Sequence, residues 1–211
     1  MKLNRLGRAS MNNPARAWLQ KTSIVPLFDR FGGRAASGRV LEVGCGRGAL
    51  VSTLRSRFQA RDIVALDIDL RMLARARRTL RAHGESRAWP VLADVTALPA
   101  ADASFDAVFD FGAIHFVAEW ERALDEVRRV LRPGGRYFFE WVTGRLMRSL
   151  YPLAAEGFES MRAPSADGLL AALEARGIHV GKDFIRPRLT AAATYMVGDM
   201  IGVGRVGRPA L

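Results

Sequence analysis

Five short apolar runs interleaved with stretches of helical spacing constrain this chain more than any single residue does. The runs are VLEVG (40–44), DIVALDID (62–69), AWPVLADV (88–95), FDAVFDFG (105–112) and RYFFEWV (136–142). Between and after them, 47–58, 70–84, 119–132 and 165–177 carry apolar residues at helical intervals. Near-continuous apolar strands alternating with amphipathic helices require a parallel sheet covered on both faces. At 211 residues the chain has the length of one domain. In such sheets ligands bind beyond the carboxyl ends of the strands, where the strand order reverses.

The punctuation agrees with this reading. Gly84 closes one helix, Pro133 and the glycine pair after it stop another, and Ser165 and Gly177 bracket a third. In 70–84, Leu73, Ala76 and Leu80 should face the sheet and leave the arginines in solvent. Ahead of the first strand, 13–31 reads as a helix with Trp18, Leu19, Ile24, Leu27, Phe28 and Phe31 on one side. It has no place in the strand–helix pattern. We expect a helical lid over 1–38, a ligand-binding core over 39–142, and an acceptor-side segment with two weak C-terminal strands over 143–211.

VLEVGCGRG, at 40–48, is the stretch with the most chemistry. Glycines directly after a strand let backbone pass close to a ligand, and the following helix presents free N–H groups there. Gly44, Gly46 and Ala49 satisfy the loose dinucleotide spacing G-x-G-x-x-A. Asp67, at the end of the second run, stands where a carboxylate accepts ribose hydroxyls. Neither feature separates a nicotinamide enzyme from other nucleotide binders. Glu42 does more. A pyrophosphate gains nothing from a nearby carboxylate, whereas an ammonium or sulfonium group does.

VLEVGCGRG, VALDID, ADVTALP, FDAVFDFGAIHFV and VLRPGGRYFFEW, in that order, resemble the class I S-adenosylmethionine-dependent methyltransferases, and most nearly the small-molecule branch of ubiquinone and menaquinone biosynthesis. The resemblance covers 40–142. It implies a Rossmann-like three-layer α/β sandwich with a seven-stranded sheet, order 3-2-1-4-5-7-6, the last strand antiparallel. It implies S-adenosylmethionine as cofactor and S-adenosylhomocysteine as product. Gly44, Cys45, Gly46 and Gly48 would line the methionine and ribose portion, with Glu42 shaping that wall. Asp67 would hold the ribose and Ile68 would pack on adenine. Asp94 and the Val95 N–H would face the adenine edge, and Asp110 would lie near the methionine end.

Methyl transfer from a sulfonium is a direct displacement, so the protein's task is alignment and exclusion of water. A hydroxyl or protonated amine acceptor would also need a base. His115, just after the fourth run, is the first candidate and Glu140 the second. Cys45, the only cysteine, has no assigned activating partner, and neither it nor the scattered His83, His115 and His179 make a metal site. The net charge is +11, carried almost wholly by arginine. No nucleic-acid motif accompanies it, and at most weak peripheral membrane contact is expected. The basic N-terminus lacks the apolar centre of a secretory signal, so the chain is expected in the cytoplasm. The expected activity is methylation of a small, hydrophobic or lipid-like acceptor. The alternatives are a nicotinamide-dependent oxidoreductase and a non-catalytic domain that kept the nucleotide fold.

Overall fold

The computed structural model describes residues 14–32, 37–141, 164–180, 184–185 and 200–207. The strands are β1 (Arg39–Val43), β2 (Asp62–Asp67), β3 (Ala88–Leu92), β4 (Phe105–Phe111), β5 (Leu131–Trp141), β6 (Ile178–His179), β7 (Phe184–Ile185) and β8 (Met200–Val206). The helices are α1 (Pro14–Leu19), α2 (Val25–Arg30), α3 (Val51–Phe58), α4 (Leu70–Ala82), α5 (Trp120–Val130) and α6 (Ala166–Glu174). They form one sheet in the order β3-β2-β1-β4-β5-β8-β6, with β7 also paired to β8. The first five strands are parallel, and β8 runs antiparallel to β5, β6 and β7. This is the expected order, with β8 as the seventh strand and β6 and β7 as two pieces of the sixth. The strand order reverses between β1 and β4, which opens a crevice at their carboxyl ends.

Two apolar layers hold the sandwich. On one face Ile24, Val25 and Phe28, Leu54 and Phe58, and Leu73, Ala76 and Leu80 cover Val40, Ile63, Phe109 and Phe138. On the other, Leu124 and Val127 with Leu169 and Leu173 cover Leu41, Val108, Tyr137 and Phe139. Phe109 and Phe138, stacked at 4.4 Å, are the centre of the first layer, and Phe28 meets Phe138 edge-on at 5.4 Å. Burying Phe28 contributes about 1.5–3 kcal/mol and ties the N-terminal helix to the sheet. As the spacing predicted, α4 buries Leu73, Ala76 and Leu80 and exposes Arg71, Arg75 and Arg78. No helix among the described residues is long and apolar enough to cross a membrane.

The helix α5 ends at Val130, and Pro133, Gly134 and Gly135 fall inside β5 rather than stopping the helix as expected. Three further local expectations change. The N-terminal helix is not a regular α-helix: Gln20–Ile24 is a π-turn, with the Val25 N–H donating to the Gln20 carbonyl. One extra residue per turn rotates the upstream face by about 100° against the downstream one. Trp18 is therefore 65% exposed, and Arg16 and Gln20 turn inward. Second, α3 begins at Val51 rather than Arg47. Gly44, Gly46 and Gly48 all have positive φ, so the chain cannot enter a right-handed helix until it has passed them. Third, β3 ends at Leu92, because Asp94 folds back to accept both the Thr96 N–H at 2.9 Å and the Thr96 hydroxyl at 2.8 Å. Of the acceptor-side segment expected over 143–211, residues 143–163 lie outside the described residues.

Candidate active site

The glycine turn after β1 is pinned by β2. Cys45 N–H donates to the Leu66 carbonyl at 2.9 Å, and Gly46 N–H to Asp67 Oδ2 at 2.8 Å. Asp67 Oδ1 also accepts the Asp69 N–H at 2.8 Å, which starts α4. One carboxylate thus joins the turn, the end of β2 and the next helix. A methyl group on Gly44 would stand 2.3 Å from the Ala113 Cβ, so the turns after β1 and β4 touch only because this residue is glycine. Gly48 has a similar task one layer back, against Ala76 of α4.

These turns enclose a cavity of about 200 Å³. Glu42, Gly44, Cys45 and Gly46 form its floor, and Asp67, Ile68 and Met72 one wall. Asp94 and Val95 form the far end, while Phe111, Gly112 and Phe116 lie on the β4 side. Arg16, Ala17 and Gln20 of the N-terminal helix complete it. Every cofactor residue named from the sequence lines this cavity except Gly48 and Asp110. A second hollow of about 420 Å³, beside Leu41, Val64, Trp89 and Phe105, has no glycine turn.

The electrostatics favour a cationic guest. Glu42 is 2% exposed, and no described protein group bonds its Oε2. Burial, and then the Asp67 charge, push its carboxyl up to about 8. Burial also raises Asp67 and drives the Cys45 thiol well above its usual range, against nucleophilic use. Asp94 differs: burial works upward, but its Thr96 hydrogen bonds outweigh it and hold the carboxyl below its usual value.

Asp110, His115 and Glu140 sit one layer behind the cavity wall. Asp110 is fully buried, accepting the Ala113 N–H at 2.6 Å and the Tyr137 hydroxyl at 3.0 Å. Burial nevertheless raises it to about 7. It shapes the turn after β4. The sequence placed His115 at the functional rim, but the structure packs its ring between Phe116 (4.2 Å) and Trp141 (6.0 Å), 1% exposed. Neither ring nitrogen has a protein hydrogen-bond partner. Burial, then the Arg16 charge, lower its pKa to about 3; the Glu140 carbonyl, short of hydrogen-bond geometry, pulls the other way. Glu140 is fully buried and held by Gln20 Nε2 at 2.9 Å and Arg16 at 3.4 Å. Burial raises its pKa, and those two partners work against the rise.

Arg16 and Gln20 are the residues that sequence reasoning missed. Both also donate to the Phe111 carbonyl, at 3.4 and 3.0 Å. Their i, i+4 spacing is visible in the sequence. The π-turn that aims them inward is not.

The cavity suits S-adenosylmethionine: an unpartnered buried carboxyl for a cation, a close-approach glycine turn, and Ile68, Met72 and Val95 for a flat base. Residues 41–139 match the family model for the methyltransferase domain. This stretch is a class I S-adenosylmethionine-dependent methyltransferase domain. S-adenosylmethionine is the cofactor of that family. The chain is 34% identical over 137 residues to malonyl-[acyl-carrier protein] O-methyltransferase of Methylovorus sp. (strain MP688), a match covering 63% of this chain and 46% of that protein. It is 42% identical over 102 residues to demethylmenaquinone methyltransferase of Thermus thermophilus, covering 48% and 46%. The chain thus spans about half the length of the curated relatives it matches. A S-adenosylmethionine-dependent methyltransferase from Aquifex aeolicus superposes with a TM-score of 0.70 at 19% identity, over 97% of this chain and 98% of that one. That likeness is one of fold.

Proposed function

We propose that the chain transfers the methyl group of S-adenosylmethionine to a small acceptor that enters on the Gln20–Phe116 side of the cavity. The observation that carries this reading is Glu42: a buried, unpartnered carboxyl beside a glycine turn wants a cation, not a pyrophosphate. Gly44 and Gly46 bring backbone against the ligand, Asp67 serves the ribose hydroxyls, and Asp94 with the Val95 N–H serves the adenine edge. When bound, the cofactor supplies a methyl group already activated by its sulfonium charge. The protein's own residues align, desolvate and exclude water.

Ala17, Phe111, Phe116 and Val117 give the acceptor side an apolar wall, which supports a hydrophobic acceptor. The relatives act, by name, on a malonyl-carrier protein and on demethylmenaquinone. The N-terminal helix acts as the lid of this cavity, a role supported by the lining positions of Arg16, Ala17 and Gln20. The reading routes no proton through His115 or Glu140, since neither faces the cavity. Calorimetry with S-adenosylmethionine, S-adenosylhomocysteine and NADH tests it. Binding of the first two and not the third is expected. Tight NADH binding with neither of the others would refute it.

A further inference from the structure

Gln20 is anchored in an unusual way for a residue that lines a ligand cavity. It is 6% exposed and opens the π-turn of the N-terminal helix. Both hydrogens of its side-chain amide have fixed partners: the Phe111 carbonyl at 3.0 Å and Glu140 Oε2 at 2.9 Å. A carbonyl oxygen can only accept, so the amide cannot be flipped without opposing two oxygens. The remaining corner, Oε1, bonds no described protein group and is not among the atoms sealed from solvent. Gln20 lines the cavity, and Oε1 is its one side-chain polar atom without a described protein partner. π-turns are rare and concentrate at functional sites. This one costs the helix its regular ladder and delivers an oriented hydrogen-bond acceptor.

The position of that acceptor is set by the sheet. Val43 pairs with Asp110, so Phe111, one residue on, lies level with the Gly44 turn. Gly44 and Ala113 are in contact there. The resemblance gives the glycine turn to the methionine and ribose portion of the cofactor, and Asp110, at the end of β4, to the methionine end. On β1, Glu42 contributes the second unpartnered acceptor of the cavity. Two such groups from two different elements, a neutral amide oxygen and a carboxyl that a neighbouring cation would ionise, suit a group with several N–H donors.

We propose that Gln20 is a cofactor-positioning residue whose Oε1 accepts a hydrogen bond from the α-ammonium of the bound methionine moiety, with Glu42 as its charged counterpart. This rests on the methyltransferase reading above. By holding the ammonium from the lid side, Gln20 makes closure of the N-terminal helix and orientation of the donor a single event. Phe111 and Glu140 fix the amide; they do not touch the ligand.

The test uses the full chain and two ligands, S-adenosylhomocysteine and its des-amino analogue, in which the ammonium is replaced by hydrogen. Gln20→Met keeps the length of the side chain and removes the amide. A hydrogen bond to a charged group predicts about 10–100-fold weaker binding of S-adenosylhomocysteine. Binding of the des-amino analogue should stay within about twofold of wild type, since it has no ammonium to lose. If both ligands weaken equally, Gln20 is only a structural latch and the proposal is overturned. If neither changes, it is overturned as well. Should Gln20→Met fail to fold, Gln20→Asn, which withdraws the amide by one methylene, is read in the same way. A wild-type protein that binds no S-adenosylhomocysteine would instead bring down the methyltransferase reading, and this inference with it. Wild-type binding with an unselective Gln20 variant removes this inference alone.

Discussion

At pH 7 the Glu42 carboxyl of the protein alone holds its proton. Burial and Asp67 keep it at about 8, so about nine molecules in ten are neutral at that pH. A cation placed against it favours the charged form, and each unit of pKa lowering corresponds to about 1.4 kcal/mol. If the ligand returns Glu42 to an ordinary carboxylate value, binding at pH 7 must release about 0.9 proton. Affinity should then rise about ninefold from pH 6 to pH 7, flatten above pH 8, and fall as pH drops. Below pH 7 the ligand's ammonium keeps its own proton and does not confuse the reading. The assay is calorimetry with S-adenosylhomocysteine in buffers of low and high ionisation enthalpy, such as phosphate and Tris. The dependence of the heat on the buffer gives the proton count directly. Glu42→Gln should abolish that dependence and leave affinity almost flat with pH. A wild-type protein whose binding heat is independent of buffer would refute the reasoning, because the free carboxyl would then be ionised already or no cation would lie beside it in the complex.

Asp67→Ala should weaken S-adenosylhomocysteine by more than the loss of ribose contacts, because it also frees the Gly46 and Asp69 N–H groups; Asp67→Asn, which keeps one acceptor oxygen, should recover part of the affinity in the same titration. Gly44→Ala would drive a methyl to 2.3 Å from Ala113 at a positive φ, and should lower stability by about 2–4 kcal/mol in urea melts while eliminating measurable cofactor binding. His115 is buried neutral with its pKa lowered to about 3, so the unfolded chain takes up a proton below pH 6.5 that the folded chain refuses. This residue's share of stability is therefore lost as pH falls from 6.5 towards 3, by about 1.6 kcal/mol between pH 6.5 and 5, and His115→Leu should show a correspondingly shallower acid limb than wild type. Equal acid limbs in the two proteins would mean that the ring is not sealed.

The architecture was legible in the chain because its signals are local. Strand runs such as DIVALDID alternate with α4, whose Leu73, Ala76 and Leu80 repeat at helical spacing, and periodicity needs no tertiary information. The floor of the cavity was legible for the same reason. Glu42, Gly44, Gly46 and Asp67 lie at strand ends, and a parallel sheet gathers strand ends whatever else the chain does. What the sequence could not display is which side of a wall a residue occupies. Asp110 stands at the end of β4 and His115 just after it, as expected, yet both lie buried behind the cavity lining, His115 beyond the turn that Gly112 permits at φ +80°. Glu140 ends on the sheet's interior because Arg16 and Gln20, more than a hundred residues away, descend onto it. Their arrival depends on one π-turn. A single extra residue in a helical turn changes every azimuth upstream, and no period count detects it, because the π-turn is stabilised by the contacts it creates with Phe111 and Glu140 rather than by its own residues. The alternation of strands and helices and the cavity floor were thus legible in local pattern, and the strand order through the family resemblance, whereas the lid face, the anchored Gln20 amide and the sealing of His115 were decided by packing between elements far apart in the chain.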